Sequence, residues 1–187
     1  PALTNLKLGL LFENDDLWLG PGTGLLGDVV VDQVSGNLLN LADADSVVID
    51  AKFTSDGESA IELINQSPLD SLKETFVDTQ IRDALTGELH LNIPLSNDDV
   101  SLSGAINLAD NTVYLQPLEL TLENVKSRIE FTESIVSTPL LQAQLWQQPV
   151  TASLDIQDKG SMFNIDIGLK GQWDSAEVLP VFVPLLN

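Results

Sequence analysis

The sequence predicts a mainly β protein, an antiparallel sheet built as a meander of hairpins with two or three short helices. Three observations carry this. From Thr86 to Trp173 apolar residues recur at every second position, the spacing that puts side chains on one face of a pleated strand. Clusters of Asn, Asp, Gly and Pro punctuate these rows at short intervals. No helical periodicity separates one row from the next, as a parallel sheet with crossover helices would require.

In the first part, Leu6 to Phe12, Leu17 to Leu19, Val29 to Val34 and Val47 to Phe53 read as strands. Gly20-Pro21-Gly22-Thr23-Gly24 reads as a loop between the second and third. Two helices are expected next. Ser55 with Glu58 forms a capping box ahead of Ala60, Ile61 and Ile64, and Ser67-Pro68 is an N-cap and first-turn pair ahead of Leu69, Leu72 and Phe76.

The alternating rows then begin. Leu89, Leu91, Ile93 and Leu95 form one, and Asn97-Asp98-Asp99 turns it into Val100, Leu102, Ile106 and Leu108. Asp110-Asn111 is expected to turn the chain into Val113 and Leu115, and after Pro117 the alternation resumes at Leu118, Leu120 and Leu122. Ile129 and Phe131 follow, then Leu141, Ala143 and Leu145, then Val150, Ala152, Leu154 and Ile156, and last Phe163, Ile165, Ile167 and Leu169. Their joints are Glu133-Ser134, Gln147-Gln148-Pro149 and Asp158-Lys159-Gly160. A third short helix is expected from Asp174 with Glu177, ending by Pro180. Residues 1–85 are thus expected to be strands followed by two short helices. Residues 86–187 form an antiparallel meander continuous with the first part as one sheet.

Such a sheet has more apolar surface than its helices can hide. Adjacent strands lie ~4.8 Å apart, so roughly ten strands would measure on the order of 48 Å across. Two helices laid side by side shield only about 20 Å of that. The remainder is buried by the sheet folding on itself, by other parts of a larger polypeptide, or by an apolar ligand, and the residues alone leave all three open.

With 28 acidic and 8 basic residues in 187 the formal charge is −20, which repels phosphate backbones and argues against nucleic acid as a partner. The absence of cysteine excludes disulfides and thiolate metal sites. No apolar run approaches the ~20 residues of a membrane-spanning helix. Val178 to Leu186 comes nearest and is interrupted by Pro180 and Pro184. The chain begins at Pro1 and ends on an apolar stretch, and we expect it to be a fragment of a larger protein.

Chemistry is sparse. The single histidine, His90, lies at an outward position between Leu89 and Leu91, so a nucleophile has no evident base. Asp15-Asp16, Asp43 with Asp45, and Asp98-Asp99 could offer oxygens to Ca²⁺, but none has EF-hand spacing, and they read as turn residues. The glycine-rich stretch at Gly20 lacks the lysine of a phosphate loop. Trp18, Trp146 and Trp173 sit near strand ends, where an indole buries its ring and keeps its N–H wet. The expectation is therefore no enzyme, no catalytic residues, no metal and no cofactor.

Several stretches carry a family likeness. Gly87-Glu-Leu-His-Leu-Asn-Ile-Pro-Leu95, Val100-Ser-Leu-Ser-Gly104, Asp110-Asn-Thr-Val-Tyr-Leu-Gln-Pro-Leu118, Leu122-Glu-Asn-Val125, Leu145-Trp-Gln-Gln-Pro-Val150 and Gly168-Leu-Lys-Gly-Gln-Trp173 together resemble the YhdP family of AsmA-like envelope proteins. The resemblance is closest over Ser67 to Trp173. It implies a curved sheet shaped like a groove or taco, in the periplasmic portion of an inner-membrane-anchored protein of a Gram-negative bacterium. It also implies a segment of a periplasm-spanning conduit that moves phospholipid toward the outer membrane and maintains that membrane's permeability barrier. Partners would be phospholipid acyl chains and other segments of the same polypeptide.

The groove candidates are then the alternate apolar residues: Leu89, Leu91 and Ile93; Leu102 and Ile106; Val113, Leu115 and Leu120; Ile129 and Phe131; Leu145, Val150, Leu154 and Ile156; and Phe163, Ile165, Ile167 and Leu169. The alternative is a structural or assembly β-module with a closed core and no ligand.

Overall fold

The computed structural model describes residues 2–66, 73, 76–96, 100–159 and 163–171. Within them the chain forms a single antiparallel sheet whose strands lie side by side in sequence order. Strands β1 (Leu3–Glu13), β2 (Asp16–Leu26), β3 (Val29–Leu38) and β4 (Ser46–Asp56) lead into helix α1 (Gly57–Gln66). β5 (Thr79–Arg82), β6 (Ala84–Pro94) and β7 (Ser101–Leu115) follow, then a 3-10 turn at Gln116–Leu118. β8 (Leu120–Thr132), β9 (Ile135–Leu145), β10 (Gln148–Asp158) and β11 (Phe163–Gly171) complete the sheet. The mainly β antiparallel meander expected from the alternation is what forms. β1 and β11 do not pair with each other, so the sheet is not closed.

α1 and the 3-10 turn are the helical elements with described bounds. The helix expected from Ser67-Pro68 through Leu69 and Leu72, the Asn97-Asp98-Asp99 turn and the helix at Asp174 fall outside the described residues, as do Gly160 and Trp173.

Three local expectations need correction. The first concerns Gly20-Pro21-Gly22-Thr23-Gly24, which is not a loop but the middle of β2, paired to β1 through Gly22 with Leu8 and to β3 through Gly24 with Val31. Gly22 has no room for a side chain, since an added Cβ would sit 2.5 Å from Leu8 Cδ1 and 2.6 Å from the Lys7 carbonyl. Pro21 falls where the register shifts between Leu19 and Gly22, a place where a missing N–H costs no ladder bond.

The second concerns Asp110-Asn111, which does not turn the chain. It is a bulge inside the continuous strand β7, with Asp110 at φ 66° and a register shift between Ala109 and Asn111. Asp and Asn tolerate the left-handed region that such a bulge needs, and so mimic a turn signal.

The third is the cap of α1, which is Asp56 rather than Ser55. Its carboxylate accepts from the Ser59 N–H at 2.9 Å and from the Ser59 hydroxyl at 2.7 Å. Ser55 is buried and donates to the Asp56 carbonyl.

β5 and β6 are one strand broken at Asp83, which has φ 73°. Both halves lie along β7, β6 beside its first part and β5 beside its last. Asn111, with no exposed surface, fills the break. Its Nδ2 donates to the carbonyls of Arg82 (2.9 Å) and Ala84 (3.1 Å), and its Oδ1 accepts from the Ala109 N–H (2.8 Å). The remaining carbonyl, of Asp83, accepts from Gly57 N–H at the start of α1. An added Cβ on Gly57 would collide with the Ile81 carbonyl, so the glycine lets helix and strand meet this closely.

The core lies on one face of the sheet. Ala60 and Ile64 of α1, together with Phe76, pack with Ile81, Leu85, Ile106, Leu108, Val125 and Ile129, and the cluster continues to Val136, Leu145, Val150 and Ile156. α1 rests on β3, β4 and β5 and covers only that corner. The other face is mostly polar from β6 onward, while on the first strands Leu11, Trp18, Leu25, Val30 and Val48 also stand on it.

Candidate functional site

The pairing registers line the apolar residues up in rows that cross the sheet. One runs from Leu8 on β1 through Ala51, Leu89, Gly104 and Phe131 to Val136, Ile156 and Ile165 on β11. A second joins Leu10, Leu19, Ile49, Leu91 and Leu102. Ile93 stands beside Val47 in the next row.

Where α1 ends its coverage, this face opens into an apolar groove of about 520 Å³. The stretch Phe76 to Ile81 forms one wall, and Leu108, Val113, Leu115, Leu122, Ile129 and Leu141 form the floor. Leu154, Ile156, Ile165 and Ile167 form the opposite side. The polar intrusion on the floor is self-contained: buried Thr138 shares a 2.7 Å hydrogen bond with Ser127, so neither hydroxyl is left bare among hydrocarbon.

The groove candidates fall into three groups by burial. Ile106, Val113, Ile129, Phe131, Leu145, Val150 and Ile156 are buried in the core cluster. Leu89, Leu91, Ile93, Leu102, Leu115, Leu120 and Leu154 are half-buried. Ile165, Ile167 and Leu169 on β11 are open, with 58%, 68% and 51% of their surface exposed. Phe163 opens β11, and its side chain lies outside the described residues.

The groove also uses residues that the candidate set omits. Leu108, Leu122 and Leu141 carry the same period-two signal and belong with it. Phe76 and Ile81 do not, because they reach the groove through the return of the chain from α1, which no local pattern encodes.

The opposite face has a polar hollow of about 510 Å³ centred on Arg128. Its guanidinium bonds Glu88 on β6, Glu130 (3.1 Å) on its own strand and Asn107 (3.3 Å) on β7. Ala105, paired with both Glu88 and Glu130, is 1% exposed on this face. The hydrogen bond from Arg128, with its charge, holds the Glu88 carboxyl below the usual carboxylate range, and the same bond raises Arg128. His90 is half-exposed on this face and lies 2.7 Å from Asp50. Asp16 of the first acidic pair accepts from Asn40 N–H, and Asp45 accepts through its carbonyl from Leu95 N–H, so these acids tie loops together. Trp18 pairs with Leu11 and Asn37 within the sheet, and Trp146 forms the β9–β10 turn at φ 51°. No group of three or more His, Cys, Asp or Glu among the described residues is placed to hold a metal. None of the helices described is long and apolar enough to cross a membrane.

The described residues thus form an open antiparallel sheet with an apolar groove on one face and a polar hollow on the other. The chain belongs to the YhdP family, whose model, described as YhdP protein, matches residues 1–187. It is 30% identical over 183 residues to the intermembrane phospholipid transporter YhdP of Escherichia coli (strain K12). That match covers 96% of this chain and 14% of the relative. No solved structure matches.

Proposed function

We propose that this chain is one segment of a non-enzymatic lipid conduit, in which the grooved apolar face shelters phospholipid acyl chains. The polar face and the head group stay in water. The observation that carries this reading is the apolar groove bordered by Ile165 and Ile167, large side chains left open at the lip of a sheet that does not close. Hydrocarbon entering such a groove gains about 0.8 kcal/mol for each methylene removed from water, so a single acyl chain has a strong reason to stay.

Kinship with an intermembrane phospholipid transporter supports a phospholipid as the occupant and the cell envelope as the setting. On this reading the segment lies in the periplasm of a Gram-negative bacterium, within a protein anchored in the inner membrane. It works in series with other segments of its polypeptide to carry lipid toward the outer membrane and preserve that barrier. The acidic surface, with formal charge −20, would discourage anionic head groups from adhering.

The test is native mass spectrometry of the purified polypeptide with analysis of its organic extract. Phospholipid in stoichiometric amount is expected. A preparation free of lipid, with the groove occupied by protein side chains, would support a structural module instead.

A further inference from the structure

The apolar face is not uniform along the strands. The end holding Ser46 and Pro94 lies away from α1, and there on the β1–β4 side Leu10, Leu19 and Ile49 form a strip leading to Leu91. At the other end α1 occupies that side, and the groove opens only over β7–β11. An acyl chain passing from strand to strand across the sheet must therefore cross diagonally, from the first strip to the groove. Beside that diagonal lie half-buried Phe53 and buried Phe131, each paired directly with a glycine, Gly87 and Gly104.

The end of each ring occupies the space above its glycine. An added Cβ at Gly87 would fall into the Phe53 ring, and one at Gly104 would lie 2.6 Å from Phe131 Cζ. A phenylalanine opposite any larger residue has to stand away from the sheet. Opposite glycine it can fold down onto the backbone.

We propose that these two pairs form a low threshold over which the lipid passes, with the glycine under each ring setting its height. This rests on the conduit reading and adds to it a route and the residues that keep the route clear. Gly87 is the sharper position to test. A Cβ there meets only the movable Phe53 ring among its nearest atoms, whereas at Gly104 it also meets the Glu88 carbonyl at 2.5 Å. Gly87→Ala thus lifts a ring without requiring the backbone to shift.

The experiment uses the complete polypeptide that carries this segment, in cells whose phospholipids bear radiolabelled phosphate. A photo-crosslinking amino acid is placed at Leu19, before the threshold, or at Leu122, beyond it. The unsubstituted protein is expected to take up label at both positions. Gly87→Ala is expected to keep label at one and lose most of it at the other. Gly87→Ala combined with Phe53→Leu, which removes the displaced ring, should restore the lost signal.

Undiminished label at both positions in Gly87→Ala overturns the threshold, and so does equal loss at both that Phe53→Leu leaves unrepaired. Label at only one position in the unsubstituted protein also overturns it, while leaving the groove a lipid site. No label at either position overturns the conduit reading itself.

Discussion

Asn111 concentrates more of the fold in one side chain than any apolar residue does. It is buried, it bonds three backbone groups, and those groups are left open by two irregularities, the bulge in β7 and the break between β5 and β6. Asn111→Ala would strand the Ala109 N–H and two carbonyls away from water. Leaving a buried group unsatisfied costs about 1–3 kcal/mol each, so the loss should reach roughly 3 kcal/mol or more, read as a lower denaturant midpoint. Asn111→Asp should fare no better, because a carboxylate can still accept from Ala109 but cannot donate to Arg82 and Ala84. If either variant unfolds like the unsubstituted protein, the clamp is not what holds the break. The sequence shows an Asn after an Asp, which is ordinary turn chemistry. What makes it a clamp is the arrival of Arg82 and Ala84, which lie far from it in the chain.

At the level of elements, the strands were legible and their irregularities were not. Alternation from Leu89 to Leu169 marks which residues share a face, because a period of two holds along each stretch of strand between bulges. It cannot distinguish a turn from a bulge, since both recruit Asp, Asn and Gly for the same left-handed backbone. That is why β7 runs through Asp110 and β2 through Gly20-Pro21-Gly22.

α1 shows the same limit in its cap. Ser55, Asp56 and Ser59 are all capping residue types, and only the buried setting of Ser55 assigns the role to Asp56. Asp56→Ala should cost about 1 kcal/mol near neutral pH. The Ser59 N–H and hydroxyl hold the Asp56 carboxyl below its ordinary value, so the folded state binds this proton less readily than the unfolded chain. The contribution is therefore complete above the ordinary carboxylate pKa of about 4 and fades as pH falls through the lower folded value. Stability curves of the Asp56→Ala variant and the unsubstituted chain should converge on acidification below that point. A constant gap across the range would mean the carboxylate's charge is not what caps the helix.

For the molecule as a whole, an eleven-stranded sheet and a single α-helix of ten residues leave an apolar face only partly covered within the described residues. Of the three ways to cover it, folding of the sheet on itself stops short of a closed barrel, since β1 and β11 do not pair, and leaves the β11 side chains exposed. The other two, further protein and a lipid, make opposite demands on Ile167, which stands 68% exposed on the groove side of β11. Folding gains little from so open a side chain, so Ile167→Asp should change stability by no more than about 0.5 kcal/mol. Lipid binding, by contrast, would face an ionised carboxylate on the wall that an acyl chain touches, and such a charge loses its hydration when hydrocarbon covers it. Co-purifying phospholipid should therefore fall severalfold in Ile167→Asp while the unfolding midpoint holds. Val30→Asp, on the polar face at 45% exposure, should leave both unchanged. Retained lipid in Ile167→Asp would remove the β11 lip from the conduit. A large fall in stability would show that neighbouring protein, not lipid, is what Ile167 was meant to meet.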